Sequence, residues 1–218
     1  MDLISLIKSR RSIRRFQKRN IPPEIIIQVI EAACWAPSAC NIQGWRFIVV
    51  DDEAKKQKIV DYGGSISILN SQVGILILYD NRTKNTEYHD DIQSAAAAIE
   101  NLILYAHSIG LGTCWICHLP SKHQLRKIFN IPSFFSPIAY ILLGYPEKET
   151  SVVPRKHTPK FLISSNTFSP KTTVDNPREE KVLLKKILMK LYFIVPVFIK
   201  KMWLNKFIDK KFVKKFEN

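Results

Sequence analysis

Apolar and polar positions alternate along the first 170 residues in blocks that switch between helical and extended periods. Asp2 precedes a short amphipathic helix through Ile7. Asn20-Ile-Pro-Pro-Glu24 reads as a helix start, and Ile26, Ile30 and Ala33 share one face of a helix to about Trp35. Phe47–Val50 has the pattern of a buried strand, residues 51–62 that of a charged helix, and Val73–Tyr79 that of a second buried strand. His89–Ile109 is the longest helical pattern, with Ile92, Ala96, Ile99, Ile103 and Ala106 repeating at helical spacing. Gly110 suits a left-handed C-cap, with Leu111 folding back. Thr113–Cys117 reads as a short strand, and Ser121 with Gln124 as a capping box. Pro137–Tyr145 is a further buried strand, and Phe161–Phe168 is expected to add one more. Residues 63–72 and 80–90 are polar connections, each long enough to serve as a lid.

Strands alternating with long helices predict α and β elements layered in one domain. No G-x-G-x-x-G follows a strand and no Walker loop is present, which disfavours the usual dinucleotide and nucleoside-triphosphate folds. Residues 169–177 read as a linker. Charge then changes the picture. Of the net +14, residues 178–218 carry +8, from twelve Lys/Arg against four Asp/Glu. Pro196 divides this tail into two helical halves, the second with Phe198, Met202, Phe212 and Phe216 on one face and lysines opposite. Such a helix can lie on an anionic membrane surface, or pack its apolar face on the body or on a second subunit; both remain open. Its longest charge-free run, Leu191–Ile199, is too short to span a bilayer. The first residues lack the features of a signal peptide, so a cytoplasmic setting with four reduced cysteines is expected.

Two stretches carry candidate chemistry. Ala36-Pro-Ser-Ala-Cys-Asn-Ile-Gln-Gly-Trp45 sets turn formers and hydrogen-bonding side chains between two buried elements, as suits the edge of a small-molecule site. Arg10-Arg-Ser-Ile-Arg-Arg-Phe16 offers four arginines and a serine in seven residues, a cradle for an anion anchored by Ile13 and Phe16. Cys114-Trp-Ile-Cys-His118 matches the haem-attachment spacing, but no export signal accompanies it and it lies on a predicted strand. Cys34, Cys40, Cys114 and Cys117 lack the paired spacing of a zinc site and are expected to be packing residues. His107 is assigned no role, and Asp90-Asp91 is read as helix N-terminal charge. Basic residues are not interleaved with exposed aromatics on a recognisable module, which disfavours nucleic acid.

Three segments in order resemble the nitroreductase-like family of flavoenzymes. They are Arg10-Arg-Ser-Ile-Arg-Arg-Phe16, like R-x-S-x-R-x-F; Ala36–Trp45, like A-P-S-x-x-N-x-Q-P-W; and Gly110-Leu-Gly-Thr-Cys-Trp-Ile116, like G-L-G-S-x-W-I. A fourth, Pro154-Arg-Lys-His-Thr-Pro159, is like the basic segment before the family's last strand. The resemblance covers about residues 3–168. It implies an α+β fold with a mixed β-sheet flanked by helices, in an interlocked homodimer with FMN at the subunit interface, and NADH or NADPH as reductant. By it, Arg10 and Ser12 hold the FMN phosphate with Arg11 beside them, and Arg155 with Lys156 completes that site. Arg14 lies near the pyrimidine edge. Pro37, Ser38, Ala39 and Asn41 reach the flavin from the other subunit, and Cys117 and His118 offer backbone groups to its ring. The implied reaction passes hydride to a small acceptor such as a nitroaromatic or quinone, with no catalytic side chain required. Flavin destruction or reductive dehalogenation under a lid, or a membrane-surface interaction protein working through the tail, are the alternatives. Gly44 stands where the family has proline and is expected to loosen the loop, and the tail lies outside the family pattern.

Overall fold

The computed structural model describes residues 2–82, 84–148 and 150–168, with three isolated positions beyond. The predicted linker 169–177 and tail 178–218 therefore lie outside the described residues. Residues 2–150 belong to one compact unit; residues 151–168 belong to a second, taken by itself.

The first unit is built on four strands: β1 (Trp45–Val50), β2 (Val73–Asp80), β3 (Gly112–Ile116) and β4 (Phe135–Gly144). Their spatial order is β1-β2-β4-β3, every neighbouring pair antiparallel. Among the described residues, the one parallel pairing is an isolated bridge between Ser12 and Thr113. β2 is central, and side chains alternate across a strand. Val73, Ile75, Ile77 and Tyr79 enter one core with α2 (Pro23–Cys34) and α4 (Asp90–Ser108). Leu76 and Leu78 enter a second core, which includes Ile59 of α3 (Glu53–Asp61) and Leu125 and Ile128 of α5 (Lys122–Phe129). Burial on both faces is why this strand reads as a continuous apolar run. The fold is thus helices, sheet, helices, as expected.

The helix signals hold in detail. Asp2 Oδ1 accepts from Ser5 N at 3.1 Å and starts α1 (Leu3–Ser9). Gly110, at φ +83°, closes α4 while its N–H donates to His107 O and that of Leu111 to Ala106 O, the two bonds of a Schellman end. Ser121 and Gln124 form the reciprocal capping box of α5.

Five expectations change. The resemblance implies a mixed β-sheet, whereas the four named strands pair only antiparallel. The stripe α4 buries is Asp91, Ser94/Ala95, Ala98/Ile99, Leu102/Ile103 and Ala106, whereas Ile92 faces solvent and Ala96 is half-buried. An alanine-rich helix discriminates weakly between faces, so two buried polar residues suffice to turn the stripe. β3 ends at Ile116, which leaves Cys117 beyond the strand. In place of a strand at Phe161–Phe168, the second unit has a short helix α6 (Pro159–Leu162) and then irregular chain, because Thr158-Pro159 is a helix start. Finally, the segment 63–72 is no exposed lid: Gly63, Gly64, Ser65, Ser67, Ile68 and Ser71 are buried.

Candidate functional site

The basic segment is held along the edge of the sheet. Ile13 N donates to Thr113 O at 2.8 Å, and Ser12 bridges Thr113 on β3. Further on, Phe16 bridges Pro146, Gln17 N donates to Tyr145 O at 2.9 Å, and Glu147 N donates to Arg15 O at 3.2 Å. Ile13 and Phe16 are buried in the α3/α5-side core. With its backbone pinned and Ile13 and Phe16 buried, the segment leaves its polar side chains to line the surface beside it. Two clefts follow it. One of about 340 Å³ is lined by Ser12, Arg14, Arg15 and Lys148 among others, and one of about 680 Å³ by Ser9, Arg10, Arg11, His107 and Lys148 among others. Glu147 is the carboxylate in both linings. The arrangement suits an anionic, elongated ligand.

Local bonding ties Arg11 through its side chain and Arg14 through its backbone. Arg11 Nη1 donates to the carbonyls of Lys8 and Arg10 at 2.9 and 2.6 Å, so part of its fork is turned back on its own backbone. The Arg14 carbonyl accepts from Asn70 Nδ2 at 3.2 Å. His107, which the sequence left without a role, lines the larger cleft with Nε2 2.8 Å from Ser9 Oγ. Burial holds its pKa below the usual histidine range, and Arg10 and Arg11 push it the same way. Its place near the end of the longest helix, just ahead of the Gly110 cap, was the available signal.

The Ala36–Trp45 loop is built at the other end of the same helix. Its 3-10 turn Ala39–Asn41 is tied to α4 by Ala39 N donating to Ser94 Oγ at 3.1 Å. Ser38 Oγ accepts from Gln43 N at 3.0 Å, and Asn41 Oδ1 from Gln43 Nε2 at 2.7 Å. Cys40, Asn41 and Gln43 all have φ near +50°. Asparagine tolerates that region, but cysteine and glutamine do so at a cost of roughly 1 kcal/mol or more each. Strain of this kind persists where surrounding structure enforces it, and it clusters at functional sites. Gly44 does not loosen the loop as expected. The Tyr79 ring occupies the place of a Cβ there, with Cε1 2.8 Å from it, and Gly44 O accepts from Asp80 N at 2.9 Å. Glycine is required by close approach.

Beyond β3, Cys117 is exposed and His118 half-buried, with His118 O accepting from Ser65 N at 3.0 Å. Only Cys114 is a packing cysteine; its thiol is buried, which pushes its pKa up, whereas Cys34, Cys40 and Cys117 are exposed. Arg155 and Lys156 are exposed in the second unit, ahead of α6.

The chain therefore brings Arg10, Arg11, Ser12 and Arg14 together and ties His118 to the same supporting segment as Arg14. It does not bring Pro37, Ser38, Ala39 and Asn41 to them. Ser94, which holds that loop, and His107, which lines the cleft, are about 20 Å apart along α4 at 1.5 Å per residue.

Comparison with known proteins adds the following. The sequence profile of the nitroreductase family matches residues 7–65 and 63–145. A protein of Methanothermobacter thermautotrophicus named "Putative NADH dehydrogenase/NAD(P)H nitroreductase" is 35% identical over 152 residues, covering 67% of this chain and 78% of its own. The Bacillus subtilis protein named "FMN reductase [NAD(P)H]" is 28% identical over 173 residues, covering 71% of this chain and 70% of its own. An FMN-dependent nitroreductase of Clostridium difficile superposes with a TM-score of 0.67 at 28% identity, over 76% of this chain and 100% of its own.

Proposed function

Because this chain belongs to the nitroreductase family, we propose that it is an oxidoreductase using NADH or NADPH as reductant and FMN as bound cofactor. The observation that carries this is the pinned basic segment with two adjoining clefts lined by its side chains. The residues fit the group. A phosphate monoester needs several cationic and hydroxyl donors at one end of an elongated cleft, and Arg10, Ser12, Arg14 and Lys148 line the two clefts here. When bound, FMN supplies the hydride relay, chemistry that no side chain of this protein needs to perform.

In this reading Arg10 and Ser12 hold the phosphate, with Arg11 beside them and Arg155 and Lys156 completing its surroundings. Arg14 places a positive charge at the pyrimidine edge, where reduction accumulates negative charge. Cys117 and His118 present backbone groups to the ring. Pro37, Ser38, Ala39 and Asn41 come from the partner of a homodimer, a geometry favoured by the separation along α4. Exposed apolar residues on α1, on α2 and at its C-cap, among them Leu3, Ile4, Ile27 and Trp35, give such a partner a surface to cover. The acceptor is a small nitroaromatic or quinone. Segment 63–72, with most of its residues buried, gives no support to a lid at that place. The chain works in the cytoplasm, with tail 178–218 touching an anionic membrane surface.

The purified protein is expected to show a two-band flavin spectrum that bleaches on anaerobic addition of NADH or NADPH. The double substitution Arg10→Ala, Arg14→Ala should lose FMN while circular dichroism shows the fold retained. A protein that takes up no flavin from added FMN overturns the reading, and full retention by the double variant overturns the site.

A further inference from the structure

Lys56 is a lysine on a charged helix, and nothing in the sequence sets it apart from Lys55 or Lys58. In the structure its side chain is 0% exposed. Its ammonium has three N–H donors and meets three acceptors: Glu53 Oε1 at 2.5 Å, Ser71 O at 2.8 Å and Gln72 O at 3.4 Å. Burying an ammonium is costly even when it is fully bonded, and a well-packed apolar side chain is often the more stable choice. Lys56 must therefore be explained by what it fixes.

It fixes the end of the buried segment 63–72. Two long-range bonds from that segment run to the candidate site. Asn70 Nδ2 donates to Arg14 O at 3.2 Å, and Ser65 N donates to His118 O at 3.0 Å. The segment is a strut of three points. Lys56 anchors it to α3, Ser65 ties it to the chain beyond β3, and Asn70 ties it to the basic segment. The 3-10 turn Ile66–Asn70 between the last two keeps their spacing short and fixed.

We propose that Lys56 is a positioning residue for the cofactor site. By holding the Ser71 and Gln72 carbonyls it sets the register of the strut, and so the relative placement of Arg14 and His118. This rests on the FMN reading above. The separate role of Glu53 is to complete the ammonium's bonding; its own side chain is 73% exposed.

The test compares Lys56→Met with Ile99→Val, a variant in the core on the other face of the sheet, chosen to lose thermal stability without touching the strut. FMN dissociation constants are measured by flavin fluorescence, and amide exchange is followed at Ser65 and through residues 66–72. Lys56→Met should raise the FMN dissociation constant about tenfold, the effect of one misplaced hydrogen bond to a charged group. It should also speed exchange at Ser65 while exchange in α4 stays slow. Ile99→Val should lower the melting temperature and leave both readouts unchanged. If Lys56→Met does not fold, Lys56→Arg keeps the charge but not the three-way geometry, and should weaken FMN severalfold. Unchanged FMN affinity in the folded Lys56 variants, or a loss of the same size in Ile99→Val, overturns the proposal alone. A wild-type chain that binds no FMN overturns it together with the functional reading.

Discussion

Tyr140 has a hydroxyl that the fold buries with no hydrogen-bond partner among the described residues. The ring lies against Gly74, where any Cβ would collide with the phenol oxygen. Burial drives its pKa upward, and the negative charge of Glu53 adds to the effect, so the phenol stays protonated. An unmade hydrogen bond in such a place costs about 1–3 kcal/mol. Tyr140→Phe keeps the ring and removes the orphaned oxygen, and is expected to raise stability by about 1 kcal/mol, read as a shifted urea midpoint at unchanged slope. A lower midpoint would mean that the hydroxyl has a partner in solution. At this scale the sequence is least legible. Arg10, Ser12 and Arg14 announce themselves because charge and spacing are local. Lys56, Asn70 and Tyr140 acquire their meaning from contacts 15, 56 and 66 residues away, with Ser71, Arg14 and Gly74; a lysine on a charged helix is ordinarily solvated.

Among the elements, α1 is the odd one. It is well capped by Asp2, yet it buries none of its residues. A seven-residue helix is too short to persist in water on its own hydrogen bonds. Its apolar side chains Leu3, Ile4 and Ile7 are exposed, Ile4 at 57%. If these side chains are what a second copy covers, a charge there should split the dimer without unfolding the protomer. Ile4→Glu is accordingly expected to halve the sedimented mass and to weaken FMN, since the partner's loop leaves with it, while near-native circular dichroism remains. A dimer of unchanged affinity would place the interface elsewhere. Elements, unlike residues, were largely readable. The Schellman end at Gly110, the capping box at Ser121 and the two buried strands β2 and β4 are local devices, and local devices show in sequence. Two local signals compete where the sequence suggests a strand over Phe161–Phe168, since Thr158-Pro159 starts a helix first.

The whole molecule carries +14, and more than half of it resides in the last 41 residues. Removing them would leave a body of +6, whose basic clefts would still suit a phosphate but whose long-range field would be far weaker. Each lysine brought near an anionic bilayer contributes about 1 kcal/mol, within a Debye length of about 10 Å at 0.1 M salt. The full chain is therefore expected to sediment with phosphatidylserine-containing vesicles at low ionic strength and to be released as salt rises. Deleting residues 178–218 should abolish that binding and leave FMN content and NAD(P)H oxidation unchanged. The two readouts separate the roles of the tail. If the full chain ignores vesicles and the truncated chain loses its dimer, the apolar face of the tail belongs to the assembly. If binding to vesicles is lost with turnover intact, the flavin chemistry and the membrane contact are independent properties of one chain. The tail would then decide where the body's reaction takes place and have no part in how it proceeds.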